Sequence, residues 1–445
     1  MRSDLTLPLP QDPRIDPVTG TQADTVYRKV LIHLLPMLVI VYIIAYIDRS
    51  NVGFAKLGFM RDLGFTDTEF GIGAGLFYAG YMIFEIPSNL LLARIGFRKT
   101  LARIMLLWAI CSALLAVMTG PKAYYIVRLL LGASEAGLFP GVLLYLTFWV
   151  PVSRRTRFTA AFMAAIPVAG ILGAPLSGLI MHGMEGWFGW KGWQWLFLIE
   201  GLPALVFAFV VLHRVKDGPE QAPWLSVAER ELIQRDLEAD RATGSVNGHK
   251  SFGEVLRTPR FYLLVGMGVA LLASTSSVSF WLPTIIQRSG VGNIWVIGVM
   301  GMAPYIAGVI AQQWVARRSD ARNERRWHAA ACAAASAAGW CILPLVSGNP
   351  ALSLVALTIT AGGTFAAMGP YWSMPSLYLS RQAAAGGIAL ISTLAGVGSL
   401  ISPVIVGWLN EHTGSLAAGQ FNLALLLLVG AATVVAIGPH DAARK

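Results

Sequence analysis

VLIHLLPMLVIVYIIAYIDRSNVGFAKLG, residues 30–58, decides the fold. Its apolar run begins at Val30 and reaches past Ile47. As a helix rising about 1.5 Å per residue, the stretch is about 42 Å long, enough to cross a hydrocarbon core of roughly 30 Å. Asp48 lies roughly 27 Å along that axis with Arg49 beside it, well inside the bilayer. Charges at such depth are costly and persist where they face a partner, a ligand or an aqueous path.

The rest of the chain follows the same pattern. With 55% apolar and 13% charged residues over 445 positions and a mean hydropathy of +0.60, polar material is too scarce to cover a soluble globule of this size. Apolar runs predict spans near 30–58, 70–93, 100–119, 122–149, 157–181 and 195–214, then near 260–287, 293–315, 327–347, 350–377, 383–409 and 417–438. Strands alternating at period two are absent, which argues against a barrel. The expected fold is therefore an all-α membrane protein. It has twelve transmembrane helices in two six-helix bundles, residues 30–214 and 260–438, around a central cavity. Residues 1–29 are an N-terminal segment, 215–259 a linker and 439–445 a tail. Leu225 to Leu237 reads as an amphipathic surface helix in that linker. The polar start, rich in proline and aspartate, is no cleavable signal peptide.

Lys and Arg set the orientation. Arg28 and Lys29, then Arg94, Arg98 and Lys99, then Arg154, Arg155 and Arg157, then Arg317, Arg318, Arg322, Arg325 and Arg326, and finally Arg381 fall in alternate loops. The positive-inside rule makes that side cytoplasmic and puts both termini there, in an inner (plasma) membrane. Opposite loops carry only scattered charges, with Lys56, Arg61, Lys122, Lys191 and Arg288 read among them. The formal charge of +10 is thereby explained by topology, with no nucleic-acid partner. Cys111, Cys332 and Cys341 show no metal-ligand or redox spacing and read as small buried hydrophobes. No nucleophile elbow, metal-ligand pattern or phosphate loop points to an enzyme, and the linker and tail are too small for a sensor's output domain.

Several ordered runs carry a resemblance: residues 46–52 (YIDRSNV), 85–89 (EIPSN), 128–132 (RLLLG) leading into 135–141 (EAGLFPG), 197–203 (FLIEGLP) and 280–283 (FWLP). In these the chain resembles a major facilitator superfamily transporter of the anion:cation symporter family, which includes tartrate, phthalate, hexuronate and galactonate permeases. The superfamily's loop motif is degenerate here, with Ala93 in place of the usual acidic residue. The resemblance implies alternating access in a lipid bilayer, by a monomer, with no cofactor and H+ as coupling ion. It also implies cavity roles for Tyr46, Tyr81 and Trp372.

Arg128 and Glu135 are seven residues apart and share one helix face. Two readings of the four charges compete. They could pair across helices simply to hold the first half together, yet apolar packing would do so without the desolvation cost. Alternatively, burial disfavours ionised carboxylates while neighbouring guanidinium groups favour them, so protonation can follow substrate. On that reading Asp48 and Glu135 carry protons, and Arg49 and Arg128 bind a carboxylate in bidentate fashion. Glu85, before Pro87, is read as gating or structural. The second half has almost no charge at depth, so it is left to shape the cavity through Ser274, Ser276, Ser277, Trp372, Ser373, Ser392 and Thr393.

The expected activity is proton-coupled import of an organic carboxylate, with export or exchange on the same fold as the alternative. Sugar-acid carriers of the family commonly have an asparagine in span 11 and an amide in span 5. Here Ser392 and the apolar run Ala164-Ala165-Ile166-Pro167 stand in those places. Unmet hydroxyls would cost about 1 to 3 kcal/mol each, which favours an aromatic or short-chain carboxylate over a sugar acid.

Overall fold

The computed structural model describes residues 20–163, 165–245, 256–375 and 384–438. Among these, twelve helices are long and apolar enough to span a membrane, and they are numbered here as spans 1 to 12: Ala23–Leu63, Asp67–Ile95, Phe97–Ala116, Pro121–Thr147, Ala165–Gly183, Gly192–Arg214, Pro259–Arg288, Ile294–Ala321, Arg326–Val346, Pro350–Ser373, Leu390–Thr413 and Leu416–Ala436. Segments 1–19 and 439–445, and with them Arg381 and Ala164, lie outside the described residues. Span 2 packs on span 4 and span 3 on span 6, while span 1 lies against spans 5 and 6. The second half repeats this scheme with spans 8 and 10, 9 and 12, and 7 against 11 and 12.

Three departures from the hydropathy reading have physical causes. The helix of span 1 runs from Gly20 to Leu63, longer at both ends than the apolar stretch, because its polar first turns are held from outside. The Tyr27 hydroxyl donates to Asp236 at 2.9 Å, Lys29 pairs with Glu229 at 2.8 Å, and Asp24 pairs with Arg154. The Lys29 ammonium also holds the Glu229 carboxyl below its usual range. At the other end, helix past residue 58 puts Lys56 inside the bundle and not in a loop; it is 2% exposed.

Span 4 is two helices, Pro121–Glu135 and Leu138–Thr147. They are broken at Gly137, whose φ of 87° is left-handed, and a Cβ there would lie 2.6 Å from Ser88 Oγ. Only glycine fits both demands. The break ends the first helix at Glu135.

The linker forms a helix over Val227–Ser245, close to the amphipathic stretch expected. Leu232, Ile233 and Leu237 are buried, and Trp224 stacks on both His33 and Trp149, so the helix is fastened to the first half. The linker also touches the start of span 3, where Asp217 Oδ1 accepts from the Arg98 backbone N–H at 2.8 Å.

The halves meet most closely at one end. A Cβ on Gly71 would come within 2.3 Å of Pro403 O, and one on Gly407 within 2.2 Å of Asp67 O; on the other flank a Cβ on Gly298 would sit 2.6 Å from Ala174 O. Toward the arginine-rich end the seam of spans 2 and 11 loosens, and a Cβ on Gly396 would still lie 3.6 Å from Met82 Sδ. Ile83, Ile86 and Leu90 of span 2 are exposed there. The molecule is thus closed at the end opposite the arginine loops.

Within the first half, spans 2 and 4 touch backbone to backbone: a Cβ on Gly132 would lie 1.8 Å from Phe77 O. Gly132→Ala is expected to destabilise the protein by about 1–3 kcal/mol through overpacking. Thermal unfolding of the detergent-solubilised protein checks this, and an unchanged melting temperature would contradict the packing.

Candidate functional site

Spans 1, 2 and 4 bring the predicted charges together. Neighbouring residues on a helix point about 100° apart, so Asp48 and Arg49 diverge. Arg49 reaches span 4, where its Nη2 donates to Glu135 Oε2 at 2.6 Å, with Glu135 fully buried. Asp48 turns toward spans 3 and 6. Its Oδ1 accepts from Ser112 Oγ at 2.7 Å and from Asn51 Nδ2 at 3.4 Å, and Ser112 is tied in turn to Phe197 O. Two cross-helix ion pairs are therefore not what the four charges make. Arg49–Glu135 is their one pair, and Asp48 is held by hydroxyl and amide groups.

Arg128 is buried to 0% exposure. Its Nε donates to Gly73 O at 3.4 Å, and among the described residues Nη1 and Nη2 have no hydrogen-bond partner. Glu135 Oε1, Arg49 Nε and Asp48 Oδ2 are likewise without a hydrogen-bond partner among the described residues. Both guanidinium groups face one aromatic ring, Phe77, with Arg49 Cζ at 5.0 Å and Arg128 Cζ at 4.7 Å from its centroid. Tyr46 and Tyr81 complete the setting of Arg49, their rings centred 5.6 and 5.4 Å from Cζ. Cation–π contact steadies a guanidinium without using its N–H donors, so a planar anion can still be bound in bidentate fashion.

The remaining predicted residues are more dispersed. Trp372 is half-buried beside the Tyr371 ring at 4.9 Å, and Ser392 is exposed on span 11. Glu85 is half-buried on span 2, its backbone carbonyl accepting from Asn89. The span 7 serines are already bonded within their own half: Ser274 to Thr364 and Trp340, Ser276 to Ser402, and Ser277 to Ser402 at 3.5 Å. Ser373 bonds Pro370 O.

Sequence reasoning overlooked the supports Phe77, Ser112 and Asn51. Phe77 has no signal apart from its aromatic type, whereas Asn51 is three residues from Asp48 on the same face. Glu200, quoted only within a motif, is buried and accepts from Ser177 at 2.8 Å.

Two six-span halves closed at one end, with charge buried between helices of one half, are the architecture of a membrane transporter. The chain belongs to the Major Facilitator Superfamily, whose profile matches residues 38–403. It is 41% identical over 416 residues to an Agrobacterium vitis protein named "Putative tartrate transporter", covering 93% of this chain and 91% of that one. It is 38% identical to the "Quinolone resistance transporter" of Acinetobacter baumannii, covering 91% and 93%. Among solved structures it resembles a D-xylose-proton symporter in fold, with a TM-score of 0.71 at 13% identity, covering 93% of this chain and 99% of that one. It is a multi-pass membrane transporter.

Proposed function

We propose that the protein imports a short organic carboxylate together with protons by alternating access. The observation that carries this reading is the pair of guanidinium groups on one Phe77 ring, one without an acidic partner and the other held by a carboxylate that a proton can neutralise. While Glu135 is ionised, Arg49 is occupied. Protonation of Glu135 frees Arg49, and the two cations can then take one carboxylate each or share one. Asp48, held by Ser112 and Asn51, is the second proton carrier. Anion and proton binding thus favour each other, as reciprocal linkage requires.

A small dicarboxylate such as tartrate suits two cations, and the relative named for tartrate transport supports it. The bonded serines of span 7 leave few free hydroxyls for a longer polyol chain. The arginine-rich end is taken as cytoplasmic in a bacterial inner membrane, with both termini on that side, so the closed end faces outward. Trp372, Ser392, Tyr46 and Tyr81 are assigned to the substrate cavity and Glu85 to gating. Export is the competing direction, favoured by the relative named for quinolone resistance.

Proteoliposomes with an acidic exterior should accumulate radiolabelled L-tartrate through the purified protein, and a protonophore should abolish accumulation. Efflux driven by an inward proton gradient would support export. Equal uptake with and without the gradient would overturn proton coupling.

A further inference from the structure

Lys56 is a buried cation that the mechanism above does not use. Its Nζ has no hydrogen-bond partner among the described residues. It lies 3.3 Å from the centroid of the Trp281 ring of span 7 and 4.3 Å from that of Phe70 of span 2, two rings that meet edge to face. The nearby acid Asp67 is engaged with Arg288 at 3.4 Å. The cage therefore joins the halves at the closed end, beside the close approach of Gly71 to Pro403.

The position is regular. Lys56 follows Arg49 by seven residues, two turns and about 10 Å along the same helix face. Phe70 precedes Phe77 by the same step on span 2. Cations and rings thus form a ladder, with Lys56 on Phe70 at the closed mouth and Arg49 and Arg128 on Phe77 deeper in.

We infer that Lys56 is a carboxylate-receiving site that becomes available when the closed end opens, and that its charge drives that opening. This rests on the carboxylate-transport reading. Ring faces compensate only part of the desolvation of an ammonium group, so the closed state keeps Lys56 at a cost that separation of spans 1 and 7 relieves. In the open mouth the ammonium regains water or takes the incoming carboxylate, which then moves two turns inward to Arg49 and Arg128. Trp281 and Phe70 recapture the ammonium when the mouth shuts behind it.

The test uses the full chain in proteoliposomes with K56M and K56R. Spin labels on R94C and R318C, with Cys111, Cys332 and Cys341 replaced by alanine, report the separation of the arginine-rich ends. K56M should enlarge the long-distance population, which corresponds to a closed Lys56 end, and K56R should stay near the parent. An unchanged distribution in K56M overturns the gating role. For L-tartrate uptake, K56M should raise KM about tenfold, the loss of one charge-assisted contact, and K56R should restore it. An unchanged KM in K56M overturns the receiving role. If the parent protein takes up no L-tartrate, the substrate reading fails and the receiving role with it, and the distances still decide the gate.

Discussion

Arg128→Met is expected to reduce carboxylate uptake by about 100-fold or more while leaving the protein as stable as the parent, or more so. A hydrogen bond to a charged group is worth about 1.5–3 kcal/mol, so losing a bidentate pair costs about 3 kcal/mol or more. Stability should move the other way because Arg128 Nη1 and Nη2 have no partner among the described residues, and an apolar isostere removes a buried cation at the loss of one long bond, Nε to Gly73 O at 3.4 Å. Thermal unfolding with and without L-tartrate separates the effects. The variant should melt no lower than the parent and should lose the shift that the anion gives. Retention of uptake within threefold would remove Arg128 from the site.

Glu135→Gln should uncouple transport. The amide imitates the protonated acid and leaves Arg49 free, so the variant should bind anion and exchange labelled for unlabelled substrate. It should lose accumulation. Each coupled proton across a gradient of about one pH unit supplies about 1.4 kcal/mol, a tenfold factor in the ratio, and the variant should lose the factor that Glu135 carries. Accumulation equal to the parent's would sink the assignment of Glu135 as a proton carrier, with Asp48→Asn the comparison that tests the second acid.

Spans are legible because hydropathy and length report directly on the bilayer. Span 4 shows where that ends: its break lies within a stretch that hydropathy joins into one span, and it is fixed by the left-handed Gly137, where a Cβ would meet Ser88 of another span. The charged cluster was legible as a set, since buried charge is rare, but its pairing was not. That Arg49 takes Glu135 while Asp48 takes Ser112 depends on how spans 1, 3 and 4 are rotated about their axes, which adjacency in the chain does not encode. Lys56 reads from the sequence as a loop residue because a charge near the end of an apolar run looks like a boundary. Its burial needs Trp281, more than two hundred positions away.

The closed end has an evolutionary consequence. Where Gly71 meets Pro403 and Gly407 meets Asp67, the touching atoms are main-chain carbonyls, which almost any substitution elsewhere leaves in place. The seam at this end is made of backbone, whereas the proposed carboxylate site is made of side chains. Substitutions that edit the side chains of the cavity can therefore leave these main-chain contacts undisturbed.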